Sequence, residues 1–123
     1  MAIGRNVLLV IEDRALSDLL AEALGDAGHA ATQADDSAGA EAAFAARPFD
    51  AAIVDLDTRA RDGALLIARL RAAHPATTVI ALLPCGGFPS ANGAPAYHVA
   101  LEKPARLAAI LAAVDVAHAA LRN

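Results

Sequence analysis

The chain has 123 residues, of which 57% are hydrophobic and 3% aromatic, so it is long enough for one domain with a hydrophobic core and too short for two. More than a quarter of the residues are alanine, and glycine and proline are few, which argues against a disordered chain. Ten basic and fourteen acidic residues give a net charge of −4 without any basic run, which argues against direct binding to nucleic acid. A single cysteine excludes an internal disulfide, and the sequence has neither a signal-peptide pattern nor a stretch suited to a membrane-spanning helix, so we expect a soluble, cytoplasmic domain.

In the first third of the sequence, patterns typical of strands alternate with patterns typical of helices. Residues 6–11 (NVLLVI) are a nearly continuous apolar run, which predicts a strand buried on both faces. Residues 14–27 have leucines at spacings of three and four and predict an amphipathic helix, with Gly28 placed to end it. Residues 29–34 predict a weaker strand, and Ser37 is the predicted N-cap of a second helix that ends at Arg47. The leucines predicted to form the buried face of the first helix are Leu16, Leu19, Leu20 and Leu24.

The middle of the sequence repeats this alternation. Residues 51–54 (AAIV) predict a third strand that runs directly into Asp55. After a polar loop, residues 64–74 predict a third helix, and residues 78–83 (TVIALL) predict a fourth strand. The apolar residues of the third helix are Leu65, Leu66, Ile67 and Leu70.

The last third departs from the alternation before returning to it. The segment PCGGFPSANGAPA has too many glycines and prolines for a full helix, so we expect a loop or one irregular turn where a fourth helix would stand. Residues 98–101 predict a fifth strand, and a last helix is expected to run to about residue 121. Strands alternating with helices, and strands that are almost entirely apolar, predict an α/β fold with a doubly wound parallel sheet covered on both faces. The apolar positions of the last helix are Leu107, Ile110, Leu111, Val114 and Ala117.

Charged residues follow three of the predicted strands. Glu12 and Asp13 follow the first strand, Asp55 and Asp57 follow the third, and Lys103, the only lysine, follows the fifth. Ligand sites of doubly wound sheets lie beyond the carboxyl ends of the strands, which is where these residues are predicted to lie. Two like charges about 4 Å apart repel by roughly 4 kcal/mol at an effective dielectric constant of 20, so a divalent counter-ion is expected. Oxygen ligands without paired histidine or cysteine favour Mg²⁺ over zinc.

Such a site has the composition needed to receive a phosphoryl group. A cation and a fixed ammonium neutralise the phosphoryl oxygens while a carboxylate attacks the phosphorus, and Asp55 is the candidate nucleophile. The alternative is that each acidic residue merely caps a helix or solvates the surface.

The arrangement resembles the receiver domain of bacterial two-component response regulators. The resemblance extends over essentially the whole chain, which is then a single receiver-like domain of residues 1–123. The features that carry it are the pair Glu12-Asp13, Asp55 at the end of the third strand, Gly63 eight residues later, and Lys103-Pro104.

This resemblance implies a five-stranded, flavodoxin-like parallel sheet and a phosphorylated aspartate. Asp55 would be phosphorylated by a histidine kinase or a phosphotransfer partner. Mg²⁺ would be held by Asp13, Asp55 and the backbone carbonyl of Asp57, with Glu12 acting through water. Lys103 would pair with the phosphoryl group.

Three positions depart from the pattern of the family. Leu83 stands where a serine or threonine grips the phosphoryl oxygen, and Pro84, which has no N–H, stands where a backbone N–H is donated. Ala100 replaces the aromatic residue that moves on activation. Because each lost hydrogen bond is worth roughly 1–3 kcal/mol, we expect phosphorylation to produce little conformational change.

Two other functions remain open from the sequence. One is a phosphorylation-independent pseudo-receiver that binds a protein partner through its shape alone, since fold does not determine function. The other is a haloacid dehalogenase-like phosphatase, because the run IVDLDT resembles an Asp-x-Asp-x-Thr motif with Asp55 as nucleophile and Asp57 as general acid. The alanine-rich surface of the last helix suits either a homodimer or a partner helix.

Overall fold

The computed structural model describes residues 5–55, 60–83, 99–102 and 108–114, with the backbone alone at 60–64, 83 and 99–102. Strands and helices alternate along these ranges, as the sequence predicts. The strands are β1 (Asn6–Val10), β2 (Ala30–Ala34), β3 (Ala51–Asp55), β4 (Thr78–Leu83) and β5 (Val99–Glu102). The helices are α1 (Arg14–Asp26), α2 (Ser37–Ala46) and α3 (Ala60–Ala73), and residues 108–114 form a C-terminal helical segment.

The five strands form one parallel sheet in the order β2-β1-β3-β4-β5. The chain therefore starts near the middle of the sheet, moves to one edge, crosses β1 and then continues to the other edge. The strand order reverses between β1 and β3, and doubly wound sheets bind their ligands at the carboxyl ends of the strands beside such a reversal. The predicted fold class is confirmed.

Each face of the sheet is covered by its own hydrophobic core, because successive strand residues point to opposite faces. On one face, Leu8 and Val54 belong to a core that includes Phe44 of α2 and Ile67 of α3. The core on the opposite face is formed by residues of the strands, of α1 and of the C-terminal helical segment. Its members include Val7, Leu9, Ile53 and Ile80 from the strands, Leu20 and Leu24 from α1, and Ile110 and Val114 from the C-terminal helical segment. Burial on both faces explains why the strands read as continuous apolar runs.

Two predicted helix starts are wrong. The N-cap of α2 is Asp36 instead of Ser37, and its Oδ1 accepts a hydrogen bond from Gly39 N at 2.8 Å. Asp35, Asp36 and Ser37 are all good capping residues, so propensity alone does not choose between them. The third helix begins at Ala60, four residues before the predicted start at Ala64. Its first turn carries no large apolar side chain, so hydrophobic periodicity gave no sign of it.

Most other boundaries differ from the prediction by one residue, as element ends commonly do. The predicted stop of α1 is confirmed: Gly28 has a φ of 93°, a left-handed conformation that glycine adopts without steric cost. The segment predicted as a loop in place of a fourth helix lies outside the described residues, as do both ends of the predicted last helix.

Leu19, predicted to lie on the buried face of the first helix, is exposed, and so is Leu65 of the third helix. Leu19 of α1 and Leu65 of α3 each have 52% of their surface accessible, while their neighbours Leu20 and Leu66 lie in the cores. A leucine at the border of a helical stripe fits the periodicity without being buried. None of the helices in the described ranges is long and apolar enough to cross a membrane.

Candidate functional site

The register of the sheet brings the acidic residues of two strands to the same edge. Val10, the last residue of β1, is paired with Val54, so Asp55 at the end of β3 lies one residue beyond that row. Glu12 and Asp13 follow β1 at the same edge. We call the group formed by Glu12, Asp13 and Asp55 the acidic edge. Because Glu12 and Asp13 are exposed and Asp55 is half-buried, at least two of its three carboxylates lie at the surface.

The carboxyl ends of β4 and β5 continue this edge of the sheet. Asp55 is paired with Leu82, and Leu83 is paired with Glu102, the last residue of β5. Leu83 therefore lies one position beyond the row of Asp55. Lys103 follows Glu102 directly in the sequence, although it lies outside the described residues.

Asp13 is the N-cap of α1. It has the extended conformation of a capping residue, with φ −67° and ψ 107°. Its Oδ1 accepts hydrogen bonds from the backbone N–H groups of Ala15, at 3.0 Å, and Leu16, at 3.3 Å. These are two of the four N–H groups that a helix leaves without internal partners at its start. Asp13 is therefore both the cap of α1 and a predicted metal ligand.

The first turns of α1 are tied to β2 by a polar network that the sequence analysis did not single out. Gln33 of β2 donates through Nε2 to Ser17 Oγ at 2.9 Å and to Asp18 Oδ1 at 2.8 Å. Arg14 lies 3.5 Å from Asp18 and donates to Asp35 Oδ1 at 3.2 Å. The only sign of this network in the sequence is the glutamine within the strand that follows α1. A polar residue in a strand indicates by itself only that the strand is partly exposed.

The remaining predicted positions are described only in part. Asp57, Pro84 and Lys103 lie outside the described residues. Leu83 and Ala100 are described through their backbone, which pairs Ala100 with Ala81 in the neighbouring strand.

Oxygen ligands of the kind that Mg²⁺ prefers are present at the acidic edge. Among residues 5–55, 60–83, 99–102 and 108–114, no three acidic, histidine or cysteine side chains lie close enough together to hold a metal ion. The predicted site does not require three, because only Asp13 and Asp55 would bind through carboxylates and Glu12 would act through water. The donor chemistry of the described residues therefore fits the predicted ion.

Comparison with known proteins gives matches among solved structures alone: neither a protein family nor a curated protein matches the sequence. The receiver domain of NtrX from Brucella abortus is 26% identical, with a TM-score of 0.81, over 92% of this chain and 98% of that one. A response regulator from Burkholderia pseudomallei, whose structure contains a phosphorylated aspartic acid, a calcium ion and citrate, is 27% identical. That match has a TM-score of 0.77 and covers 96% of this chain and 71% of that one.

A longer NtrX structure from Brucella abortus, in complex with ADP, matches 98% of this chain at 24% identity, with a TM-score of 0.85. The chain spans only 27% of the length of that protein. The motifs, the sheet order and these likenesses agree. The chain has the fold of the response regulator receiver domains and resembles them over most of its length.

Proposed function

We propose that this chain, as a single receiver-like domain of residues 1–123, accepts a phosphoryl group on Asp55 in a phosphorelay. The observation that carries the proposal is the register of β1 and β3, which puts the end of β3 beside the strand that Glu12 and Asp13 follow. The similarity to a response regulator whose structure contains a phosphorylated aspartic acid supports the same chemistry.

In the proposed reaction, a carboxylate oxygen of Asp55 attacks the phosphorus of a phosphohistidine on a histidine kinase or phosphotransfer protein. The new P–O bond gives an acyl phosphate, the P–N bond breaks, and the histidine nitrogen leaves with the bonding electron pair and takes up a proton. Asp13, Asp55 and the carbonyl of Asp57, with Glu12 acting through water, would hold Mg²⁺, which would supply positive charge for the phosphoryl oxygens. Lys103 is proposed to pair with the same oxygens.

The proposed receiver has an atypical switch, because Leu83, Pro84 and Ala100 cannot supply the hydroxyl, the N–H or the aromatic ring of the family pattern. A pseudo-receiver that binds its partner without phosphate is the second candidate, and these same substitutions favour it. The two differ in one respect: only the receiver loses its activity when Asp55 is replaced by asparagine.

The proposed partners are a histidine kinase or phosphotransfer protein and a downstream protein not yet identified. A homodimer through the last helix is a further proposal from the alanine-rich composition of that helix. The proposed location is the cytoplasm, where such a relay needs no disulfide and the single cysteine stays reduced.

The test is the intact mass of the protein after incubation with acetyl phosphate and Mg²⁺. We expect a phosphoryl adduct that requires the metal and is absent from Asp55→Asn. Asp26→Asn is the matched control, because Asp26 is an exposed aspartate at the opposite end of α1. No adduct, under conditions that label a known receiver domain, would overturn the proposal and favour the pseudo-receiver.

A further inference from the structure

The two oxygens of the Asp13 carboxylate differ in their surroundings. Within the described part of the chain, both hydrogen bonds accepted by this side chain, from Ala15 N and Leu16 N, end on Oδ1. Both donors belong to the first turn of α1, so the carboxylate is held by the helix that it caps. This leaves Oδ2 as the oxygen available to a cation at the acidic edge.

We propose that the first turn of α1 positions Asp13 as a cation ligand, with the N–H groups of Ala15 and Leu16 as the positioning groups and Gln33 as their anchor. The inference rests on the proposed function, because it assumes that Mg²⁺ binds at the acidic edge. It goes beyond that function by assigning a role in cation affinity to groups that do not themselves touch the cation.

The physical reason is that a metal-binding carboxylate gains affinity when a second set of hydrogen bonds holds its orientation. N–H groups that donate to a charged carboxylate make stronger hydrogen bonds than neutral pairs do. Removal of such outer partners commonly weakens metal binding by about 10–100-fold. At Asp13 these partners are backbone groups, so their position depends on where the first turn of α1 lies.

Gln33 helps to hold that position, because it joins the helix to a neighbouring strand of the sheet. Its Nε2 donates to Ser17, whose side chain is buried with 1% of its surface accessible, and to Asp18. β2, which carries Gln33, is paired along its length with β1, which leads into Asp13. The ion pairs of Arg14 support the same turn from outside, but they are exposed and therefore contribute little.

The test is a Mg²⁺ titration of the folded protein, followed through the backbone amide signals by NMR. Ala15→Pro removes one of the two donors without changing any carboxylate, and proline is tolerated in the first turn of a helix. Ala38→Pro is the matched control, since Ala38 occupies the same position in α2, where the cap Asp36 binds Gly39 N instead. We expect Ala15→Pro to weaken Mg²⁺ binding roughly 10-fold and Ala38→Pro to leave it unchanged.

A second variant covers the case in which Ala15→Pro does not fold. Gln33→Leu keeps the size of the side chain and removes the anchor, and we expect it to weaken Mg²⁺ binding by at least about threefold. Thermal unfolding of each variant, measured without Mg²⁺, separates a loss of affinity from a loss of folded protein.

The outcomes distinguish this inference from the function on which it rests. If the natural protein binds no Mg²⁺, or if Asp13→Asn binds it as tightly as the natural protein does, the proposed cation site itself is wrong. If the natural protein binds Mg²⁺ and Asp13→Asn does not, while Ala15→Pro or Gln33→Leu binds it with unchanged or higher affinity, the positioning role is wrong and the proposed function stands.

Discussion

The two ends of the sheet use aspartate for different purposes. At the amino end, Asp50 lies just before β3, and its Oδ2 accepts a hydrogen bond from Asn6 N of β1 at 2.8 Å. At the carboxyl end, Asp13 accepts bonds only from residues two and three positions along the chain, within the ranges that the structure describes. One carboxylate joins two strands that are distant in sequence, whereas the other serves its own helix.

The surroundings of these residues extend the contrast. At the amino end, the backbone of Asp50 also bonds to Asn6 and Thr78, and the hydroxyl of Thr77 donates to Phe49 O at 2.6 Å. At the carboxyl end, Glu12 and Asp13 are exposed carboxylates. The described hydrogen bonds of Asp50 and Thr77 therefore join segments that are distant in the sequence, whereas those of Asp13 stay within α1 and its cap.

Thr77→Val should give the largest loss of stability among the changes considered. Thr77 has 1% of its surface accessible, and valine has nearly its shape but leaves Phe49 O without this donor. We expect the free energy of unfolding to fall by about 1–3 kcal/mol, measured by urea denaturation. Labelling of Asp55 by acetyl phosphate should be unchanged. A loss of labelling in folded Thr77→Val would contradict the separation of the two ends.

Asp13→Ala and Asp36→Ala remove equivalent caps from α1 and α2, and each loss costs about 1 kcal/mol. Without Mg²⁺, Asp13→Ala should be the less destabilising of the two, because it also removes one negative charge from the acidic edge. With Mg²⁺ at about 100 times its Kd, the natural protein and Asp36→Ala should each gain about 2.7 kcal/mol that Asp13→Ala does not.

The measurement is thermal unfolding of these two variants and the natural protein, with and without the ion. An equal gain in all three proteins would show that Asp13 is not a ligand and would remove the contrast with the cap of α2.

Asp50→Ala should lower the free energy of unfolding by about 1 kcal/mol, because Asn6 N loses the acceptor that joins the start of β1 to β3. Hydrogen exchange is the sharper measurement, with faster exchange expected at the Asn6 amide and no change at Ala15. Unchanged exchange at Asn6 would show that the carboxylate does not hold the two strands together.

Arg14→Gln should have the smallest effect. Its pairs with Asp18 and Asp35 involve side chains that are more than half exposed, and such pairs contribute about 0.2–1 kcal/mol. We expect a small loss of stability that disappears when salt screens the charges, measured by thermal unfolding at low and high ionic strength. A loss larger than that of Asp50→Ala would mean that the anchor of α1 is Arg14 and not Gln33.

Much of the fold could be predicted because its strands are buried on both faces and must be apolar along their whole length. The strand that ends at Asp55 and the strand at residues 78–83 are clear for this reason. The start of α3 was missed because its first turn is held by backbone hydrogen bonds and carries no apolar pattern. The cap of α2 was misplaced because three neighbouring residues have similar capping propensity.

The residues of the acidic edge could be predicted from the sequence, but the hydrogen bonds that hold α1 beside it could not. Glu12, Asp13 and Asp55 follow or end apolar runs, and parallel strands bring such positions to one edge. The role of Gln33 could not be predicted, since it depends on a contact between β2 and α1 that joins residues 15 and 16 positions apart.

By itself, the sequence determined the alternation of strands and helices, the doubly wound fold and the identity of the acidic residues. These depend on local patterns: apolar runs, helical spacing, and charges at the ends of strands. Only the tertiary structure decided that Leu19 and Leu65 are exposed, that Asp13 caps α1 through one oxygen, and that Gln33 fastens that helix to the sheet. Such features depend on which surfaces meet after the chain has folded, and residues far apart in the sequence carry no local signal of that meeting.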